Sequence, residues 1–140
     1  MPGSLLLHAS AVSLGRRALL ILGPSGAGKS ALALELMALG AGLIADDRTQ
    51  VRLHDGVPVA SCPPAIRGRI EARGLGLLNA EAAPPAPVAG AVDLGKAEAE
   101  RLPPLRQMLL LGVSIRLFHT PGSGHFPAAL IQYLKAGAPE

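Results

Sequence analysis

The sequence predicts a single α/β domain built on a mixed sheet that carries a phosphate-binding loop. A glycine-rich segment at residues 23–30 stands between an apolar run and a run of strong helix formers. Strand-like segments outnumber helical ones, so the chain does not follow the regular strand–helix alternation of a doubly wound fold. The length of 140 residues suits one domain, which we expect to extend over residues 1–140.

The first half of the chain is expected to contain two hairpins and the strand–loop–helix unit. We expect a helix over residues 31–39 and strands over residues 5–14, 18–22, 43–45, 51–54 and 57–60. Gly15 turns the first strand back toward the second, and Asp55-Gly56 is a strong signal for a type I′ hairpin. Gly40, directly after the helix formers, marks the end of the helix.

The second half has a less regular pattern. We expect helical pieces over residues 65–70 and 127–136 and strands over residues 75–78, 88–94 and 113–118. The Ala- and Pro-rich stretch at 82–91 is interpreted as a surface loop rather than a domain boundary. Residues 105–111 fit either a strand or a helix, and the pattern leaves that choice open.

The glycine-rich segment matches the phosphate-loop (Walker A) pattern G-x-x-x-x-G-K-[ST]. Its residues are Gly23, Pro24, Ser25, Gly26, Ala27, Gly28, Lys29 and Ser30. The glycines let successive backbone N–H groups turn toward phosphate oxygens, with the positive end of the helix dipole behind them. Lys29 is expected to reach the β- and γ-phosphates, and the Ser30 hydroxyl is expected to ligate Mg²⁺. The segment therefore predicts binding of a nucleoside triphosphate.

Five further residues are candidates for chemistry beside this loop. Asp46 and Asp47 end the strand after the loop helix, where a carboxylate can hold Mg²⁺ through water or accept a proton from an attacking hydroxyl. Alternating side-chain directions in a strand would send one of them toward the γ-phosphate and the other to the periphery. Glu71 is either an oxygen ligand for the same Mg²⁺ or part of a surface ion pair. His8 in an apolar segment is more often a hydrogen-bonded core residue than a catalyst, and Arg101 either lies in a solvated charged turn or contacts a transferring phosphoryl group.

Composition and charge argue against several other classes of protein. With 49% hydrophobic and 16% charged residues the chain is globular rather than disordered. The net charge is only +3, and the scattered arginines form no basic run interleaved with aromatics, so nucleic-acid binding is not favoured. No apolar stretch approaches the roughly 18 residues that span a bilayer, and the start lacks the design of a signal peptide. Together with the lone Cys62, this predicts a cytoplasmic protein without membrane contact.

Taken together, the motifs resemble the catalytic domain of HPr kinase/phosphorylase. That bacterial enzyme phosphorylates a serine of HPr, the phosphocarrier of the phosphotransferase system. The resemblance runs from about residue 6 to residue 134. It depends on His8, GPSGAGKS at 23–30, LIADDR at 43–48, IEARGLGLLN at 70–79, AERL at 99–102 and LGV at 111–113.

This resemblance implies a fold like that of phosphoenolpyruvate carboxykinase, with ATP and Mg²⁺ as cofactors. It implies that Lys29 holds the donor phosphates and that Ser30 and Glu71 bind Mg²⁺. One of Asp46 and Asp47 would take the proton of the substrate serine, and we favour Asp47. His8 and Arg101 match active-site positions of the family. The implied partner is an HPr-type phosphocarrier protein, and the implied assembly is a homo-oligomer, which is a hexamer in the family.

Three departures from the family pattern shape the expected function. The pattern begins almost at residue 1, so we expect a short form without the family's common N-terminal domain. Ala31 replaces the acid that usually follows the loop lysine and serine, and TPGSG at 120–124 replaces a segment with two arginines that is associated with dephosphorylation. We therefore expect kinase activity with weak or absent phosphorolysis. Two alternatives stay open: a small-molecule phosphate-loop kinase, and a non-catalytic nucleotide-binding regulatory module.

Overall fold

The structure, a computed structural model, describes residues 3–122 and 124–139. Two α-helices, α1 (Lys29–Ala38) and α2 (Phe126–Ala136), accompany eleven strands in these ranges. The strands are β1 (Ser4–Leu7), β2 (Ser10–Leu14), β3 (Arg17–Leu22), β4 (Gly42–Ala45), β5 (Thr49–His54), β6 (Val57–Ser61), β7 (Arg69–Ala72), β8 (Gly76–Asn79), β9 (Ala86–Ala97), β10 (Gln107–Leu110) and β11 (Val113–Thr120).

Nine of the strands form one mixed sheet. Seven of them lie in the order β1-β5-β6-β9-β3-β2-β4, and β11 pairs with β9 and carries β10 at its other edge. The pairs β3–β9 and β9–β11 are parallel, and the remaining pairs in this sheet are antiparallel. Strands β7 and β8 form a separate antiparallel hairpin. The mixed α/β class predicted from the sequence is confirmed.

The core lies on both faces of the central strands. On one face, Leu19 and Ile21 of β3 pack with Leu36 of α1 and Leu134 of α2. On the other face, the buried cluster consists of strand residues alone, among them Leu20. The sheet therefore curls over its own second face while the helices cover the first. Burial on both sides explains why β3 is a continuous apolar run rather than an alternating one.

The strand–loop–helix unit is the best-predicted part of the fold. The turn between β2 and β3 has positive φ at Gly15 (57°) and Arg16 (64°), which suits a tight hairpin. Helix α1 begins at Lys29, inside the glycine-rich segment, and ends one residue before Leu39. The second expected hairpin, β5–β6, turns at Asp55 and Gly56, which also have positive φ.

The helical piece expected over residues 65–70 is wrong for most of its length. A short 3-10 turn covers only Pro64–Ile66, and Arg69–Ala72 is strand β7. Within β7, Ile70 and Ala72 are buried while Arg69 and Glu71 are exposed, which is the alternation of a strand. Ile70 joins the cluster beneath α1, so β7 lies against the helix that follows the loop.

The surface loop expected over residues 82–91 is also wrong in its second part. Residues 86–97 form β9, a central strand that pairs with β3, β6 and β11. Small residues suit this position because Ala86 and Ala91 are buried where the sheet curls. Pro87 lies near the start of the strand, where its missing N–H does least harm to the ladder. The open choice at 105–111 resolves as strand β10.

One smaller difference concerns the first strand. The extended segment expected at 5–14 is divided at His8, a bend between β1 and β2, so His8 is not in mid-strand. The two pieces also pair with different neighbours, β1 with β5 and β2 with β3 and β4.

Within the described ranges, neither helix has the length and apolar character needed to cross a bilayer.

Candidate active site

The glycine-rich loop joins the carboxyl end of β3 to the start of α1. Gly23 has φ 145°, and a Cβ there would lie 3.2 Å from the side chains of Ala27 and Leu94. Gly28, the residue before the helix, has φ 102°. Both positions favour glycine because L side chains rarely adopt such angles, and Gly23 also lacks room for one. Glycines at these two positions therefore allow the loop to adopt its conformation.

The amino end of α1 is open to an anion. Gly28 brings no side-chain oxygen to cap the helix, and the first turn contains no acidic residue. The first backbone N–H groups of a helix have no partner within the helix, and the helix dipole adds partial positive charge there. These groups therefore offer hydrogen bonds to phosphate oxygens.

Lys29 places its ammonium inside the loop. The residue is only 6% exposed, and Nζ donates hydrogen bonds to the carbonyl oxygens of Gly23 (2.8 Å) and Pro24 (3.2 Å). These contacts use two of the three N–H donors of an ammonium. A buried cation beside the loop N–H groups makes this end of the site strongly electropositive.

Asp46 connects three parts of the site. Its Oδ1 accepts hydrogen bonds from the hydroxyls of Ser30 (2.6 Å) and Ser10 (2.8 Å), and its Oδ2 accepts one from the backbone N–H of Glu71 (3.0 Å). The carboxylate thereby joins the start of α1, the start of β2 and strand β7. At 9% exposure it is nearly buried, so these bonds replace most of its hydration.

Asp47 points the other way and forms a pair with His8. His8 Nε2 lies 2.7 Å from Asp47 Oδ1, and both side chains are about half exposed, at 51% and 58%. The two side chains therefore point in different directions, as expected, but both line the same cavity. The cause is local, because Asp47 has a positive φ of 69° and the chain reverses there.

One cavity of about 1100 Å³ collects most of the predicted residues. Its lining includes Ser25, Gly26, Gly28, Lys29 and Ser30 of the loop together with His8, Asp46, Asp47 and Glu71. Three arginines add positive charge to its wall, namely Arg48, Arg69 and Arg73. A smaller cavity of about 340 Å³ between β6 and β11 contains none of the predicted site residues.

Of the residues predicted from the sequence, Gly23, Pro24 and Ala27 of the loop and Arg101 do not line this cavity, and Arg101 is the one outside the loop. It is exposed, in a bend between β9 and β10. Glu98 and Arg106 lie at the two ends of this segment, and Glu98 accepts two hydrogen bonds of 3.0 Å from the Arg106 guanidinium. Those hydrogen bonds hold the pKa of Glu98 below its ordinary value and raise that of Arg106.

The donor set fits Mg²⁺. Ser30 Oγ and the Asp46 carboxylate are in contact, and Glu71 adds a second carboxylate to the cavity wall. Within the described ranges no three His, Cys, Asp or Glu side chains converge as a complete metal cage. Mg²⁺ in nucleotide sites does not need one, because it takes one or two protein oxygens and completes its shell with phosphates and water.

Sequence reasoning missed Ser10 and the three arginines of the cavity wall. Ser10 is completely buried and touches both aspartates. In the sequence it is one polar residue in an extended apolar segment, and only the pairing of β2 with β4 brings it to Asp46. For Arg69 and Arg73 the available signal was the cluster of basic residues around the run at 70–79, and for Arg48 it was the position directly after the two aspartates.

Comparisons with known proteins point to one family. The family model for the HPr Serine kinase C-terminal domain matches residues 3–83, which contain the loop, both aspartates, His8 and Glu71. The HPr kinase/phosphorylase of Bordetella petrii is 51% identical over 61 residues, or 43% of this chain and 20% of that protein. That of Chromobacterium violaceum is 42% identical over 77 residues, or 54% of this chain and 24% of that protein. The matched part is thus about a fifth to a quarter of these relatives.

A solved structure extends the similarity in fold to almost the whole chain. The HPr(Ser) kinase/phosphatase from Coxiella burnetii superposes with a TM-score of 0.79, covering 94% of this chain and 88% of that one. At 22% identity this likeness concerns the fold alone. It includes the second half of the chain, beyond the region that the family model matches. The chain belongs to the HPr serine kinase C-terminal domain family.

Proposed function

We propose that the chain is an ATP-dependent kinase that transfers the γ-phosphoryl group to a serine of an HPr-type phosphocarrier protein. One observation carries the proposal. The phosphate loop, the Ser30–Asp46 contact and the His8–Asp47 pair all open into one cavity. Phosphoryl transfer needs these three components together: a grip on the donor phosphates, a place for Mg²⁺ and an acceptor for the hydroxyl proton.

We assign the binding of the donor phosphates to the loop. The N–H groups at the start of α1 and the Lys29 ammonium gather charge where the β- and γ-phosphates of ATP would lie. We assign Ser30 and Glu71 to Mg²⁺, with Asp46 accepting the hydrogen bond that orients Ser30. When bound, Mg²⁺ neutralises charge on the phosphates.

We assign the role of proton acceptor to Asp47. Asp46 is committed to three hydrogen bonds inside the protein, whereas Asp47 is about half exposed to the cavity. His8 engages Oδ1, so we assign Oδ2 to the substrate proton. As the serine oxygen bonds to the γ-phosphorus, the bond to the β-phosphate oxygen breaks, ADP leaves, and the hydroxyl proton passes to Asp47.

The rim of the cavity favours a protein acceptor over a small molecule. Leu75 is 77% exposed and Leu77 is 65% exposed, and both line the cavity from the β7–β8 hairpin. Exposed apolar side chains beside a catalytic opening are typical of a surface that another protein covers. A small-molecule kinase would instead enclose its acceptor.

Several finer parts of the proposal rest on the resemblance. Arg101 is assigned to the transferring phosphoryl group and would reach it from the segment between β9 and β10. Phosphorolysis is expected to be weak, because TPGSG at 120–124 lacks the arginines of longer members, although Ser123 lies outside the described residues. A homo-oligomer in the cytoplasm completes the proposal.

The test is incubation of the chain with a purified HPr-type carrier, ATP and Mg²⁺, followed by mass mapping of phosphoserine. Wild type should phosphorylate one serine. Lys29→Ala should reduce turnover by about 10²-fold or more, since it removes a charge contact to the transferring group. Lys135→Ala, at an exposed lysine in the last turn of α2, is the matched control and should keep full activity.

Two results would contradict the proposal. Tight ATP binding with no transfer to any carrier would identify a non-catalytic regulatory module. Full activity of the Lys29→Ala variant would remove the loop from the active centre. Phosphorolysis is measured separately, by mixing the chain with seryl-phosphorylated carrier and inorganic phosphate, and rapid release of pyrophosphate would overturn the expected one-way preference.

A further inference from the structure

Ser10 stands between the two aspartates of the site. The residue opens β2 and has no solvent exposure. Its hydroxyl donates a hydrogen bond to Asp46 Oδ1 (2.8 Å) and accepts one from the backbone N–H of Asp47 (3.1 Å). A hydroxyl has one donor and two acceptor positions, so one small side chain can serve both neighbours at once.

The backbone that Ser10 holds is in an unfavourable conformation. Asp47 has φ 69°, and the N–H of Arg48 donates to the carbonyl oxygen of Asp46 at 2.8 Å, which closes a three-residue turn around Asp47. A γ-turn whose central residue has positive φ is rare and strained. Such a conformation persists only where its surroundings fix it, and Ser10 holds it through the Asp46 carboxylate and the Asp47 N–H.

We propose that Ser10 is a positioning residue for phosphoryl transfer, an inference that rests on the function proposed above. Through Asp46 it holds the carboxylate that orients Ser30, and through the Asp47 N–H it holds the turn that presents the base to His8 and the cavity. Because Ser10 has no solvent exposure, we assign it a role through these neighbours and no direct contact with the nucleotide or the acceptor hydroxyl.

The first test is Ser10→Ala, measured by steady-state kinetics with carrier and ATP. A misplacement of about 1 Å can cost about 10²-fold in rate, so kcat should fall by about 10- to 100-fold. KM for ATP should change far less, because Lys29 and the loop N–H groups remain in place. Ser10→Thr, which retains a hydroxyl, should recover most of kcat.

A buried hydroxyl also stabilises the fold, so the comparison needs a matched control. Thr49 is equally buried, and its hydroxyl donates to the carbonyl oxygen of Ala9 (2.8 Å), directly beside Ser10, without touching either aspartate. Thr49→Val should lower the urea midpoint as Ser10→Ala does but leave kcat near the wild-type value. Equal loss of kcat in both variants would reduce Ser10 to a structural role and overturn the proposal.

A double-mutant cycle shows whether Ser10 acts through Asp47. If it does, Ser10→Ala should slow the Asp47→Asn variant by a smaller factor than it slows wild type, because one of the two groups that Ser10 positions is already gone. Independent, multiplying losses would contradict the proposal. An active wild type with an unimpaired Ser10→Ala variant refutes the role of Ser10 alone, whereas a wild type that phosphorylates no carrier refutes the proposed function and this inference with it.

Discussion

The two neighbouring aspartates should respond in opposite ways to the same change from Asp to Asn. Asp46 is 9% exposed and accepts three hydrogen bonds inside the protein. Asp47 is 58% exposed and has one side-chain partner, His8, which is itself 51% exposed. We therefore expect the first substitution to act mainly on stability and the second mainly on turnover.

The contacts of Asp46 set the size of the stability loss. An amide keeps one acceptor oxygen and replaces the other with a donor group. If the amide oxygen keeps the two serine hydroxyls, its NH₂ group faces the N–H of Glu71, so one bond is lost and two donors meet. A hydrogen bond to a charged group contributes about 1.5–3 kcal/mol, and a buried unsatisfied donor costs about 1–3 kcal/mol. Together the two contributions come to about 2.5–6 kcal/mol, which is the reduction in the free energy of unfolding that we expect for Asp46→Asn.

Asp47→Asn should change stability much less. Exposed ion pairs contribute about 0–1 kcal/mol, so the loss of the His8 contact has little effect on unfolding. Loss of a positioned general base costs about 10²- to 10⁴-fold in rate, and kcat should fall accordingly.

Urea unfolding and kcat with saturating carrier test this contrast in wild type, Asp46→Asn and Asp47→Asn. The reasoning is refuted if Asp46→Asn unfolds at the wild-type urea midpoint, because the buried network would then contribute nothing. It is equally refuted if Asp47→Asn keeps wild-type kcat, because the proton would then have another acceptor.

Two further predictions concern the cavity rim and the segment that carries Arg101. Leu75→Ser and Leu77→Ser should each raise KM for the carrier by about tenfold, as expected when one buried leucine contact is lost, without changing KM for ATP. The control is Leu109→Ser, at an exposed leucine of β10, which should change neither KM. An unchanged KM for the carrier in both rim variants would show that the β7–β8 hairpin is not part of the acceptor surface. The hydrogen bonds from Arg106 lower the pKa of Glu98, so their contribution to stability is present above the ordinary carboxyl pKa of about 4.3 and is lost as pH falls through the lowered value. Glu98→Gln should therefore be less stable than wild type by urea unfolding near neutral pH, with the difference shrinking below about pH 4; a difference independent of pH would contradict the assigned cause.

The parts of the site predicted from the sequence are those that local chemistry determines. The loop at 23–30 needs particular φ values and helix formers in a fixed order, and both are visible in consecutive residues. The divergence of Asp46 and Asp47 was predicted from the alternation of a strand, but it arises from the positive φ of Asp47 after the end of β4. The partner of His8 was not predicted, because 39 residues separate it from Asp47 and the bend after β1 is needed to bring them together.

The misread elements share a different cause. Strand β7 has only four residues, too few for its alternation to outweigh a helical interpretation. Strand β9 is made largely of small residues, which resemble a loop in composition but are required where the sheet curls. Ser10 shows the same limit at the site, because its two contacts arise from the alignment of β2 with β4 and not from any local pattern.

The most direct measurement of the central claim is a crystal structure of the chain with Mg²⁺ and a non-hydrolysable ATP analogue. We predict that the β- and γ-phosphates lie against the N–H groups of residues 23–30 with Lys29 Nζ in contact, and that Asp47 faces the open side of the γ-phosphate. A nucleotide bound elsewhere, or a γ-phosphate turned away from the His8–Asp47 pair, would contradict the account.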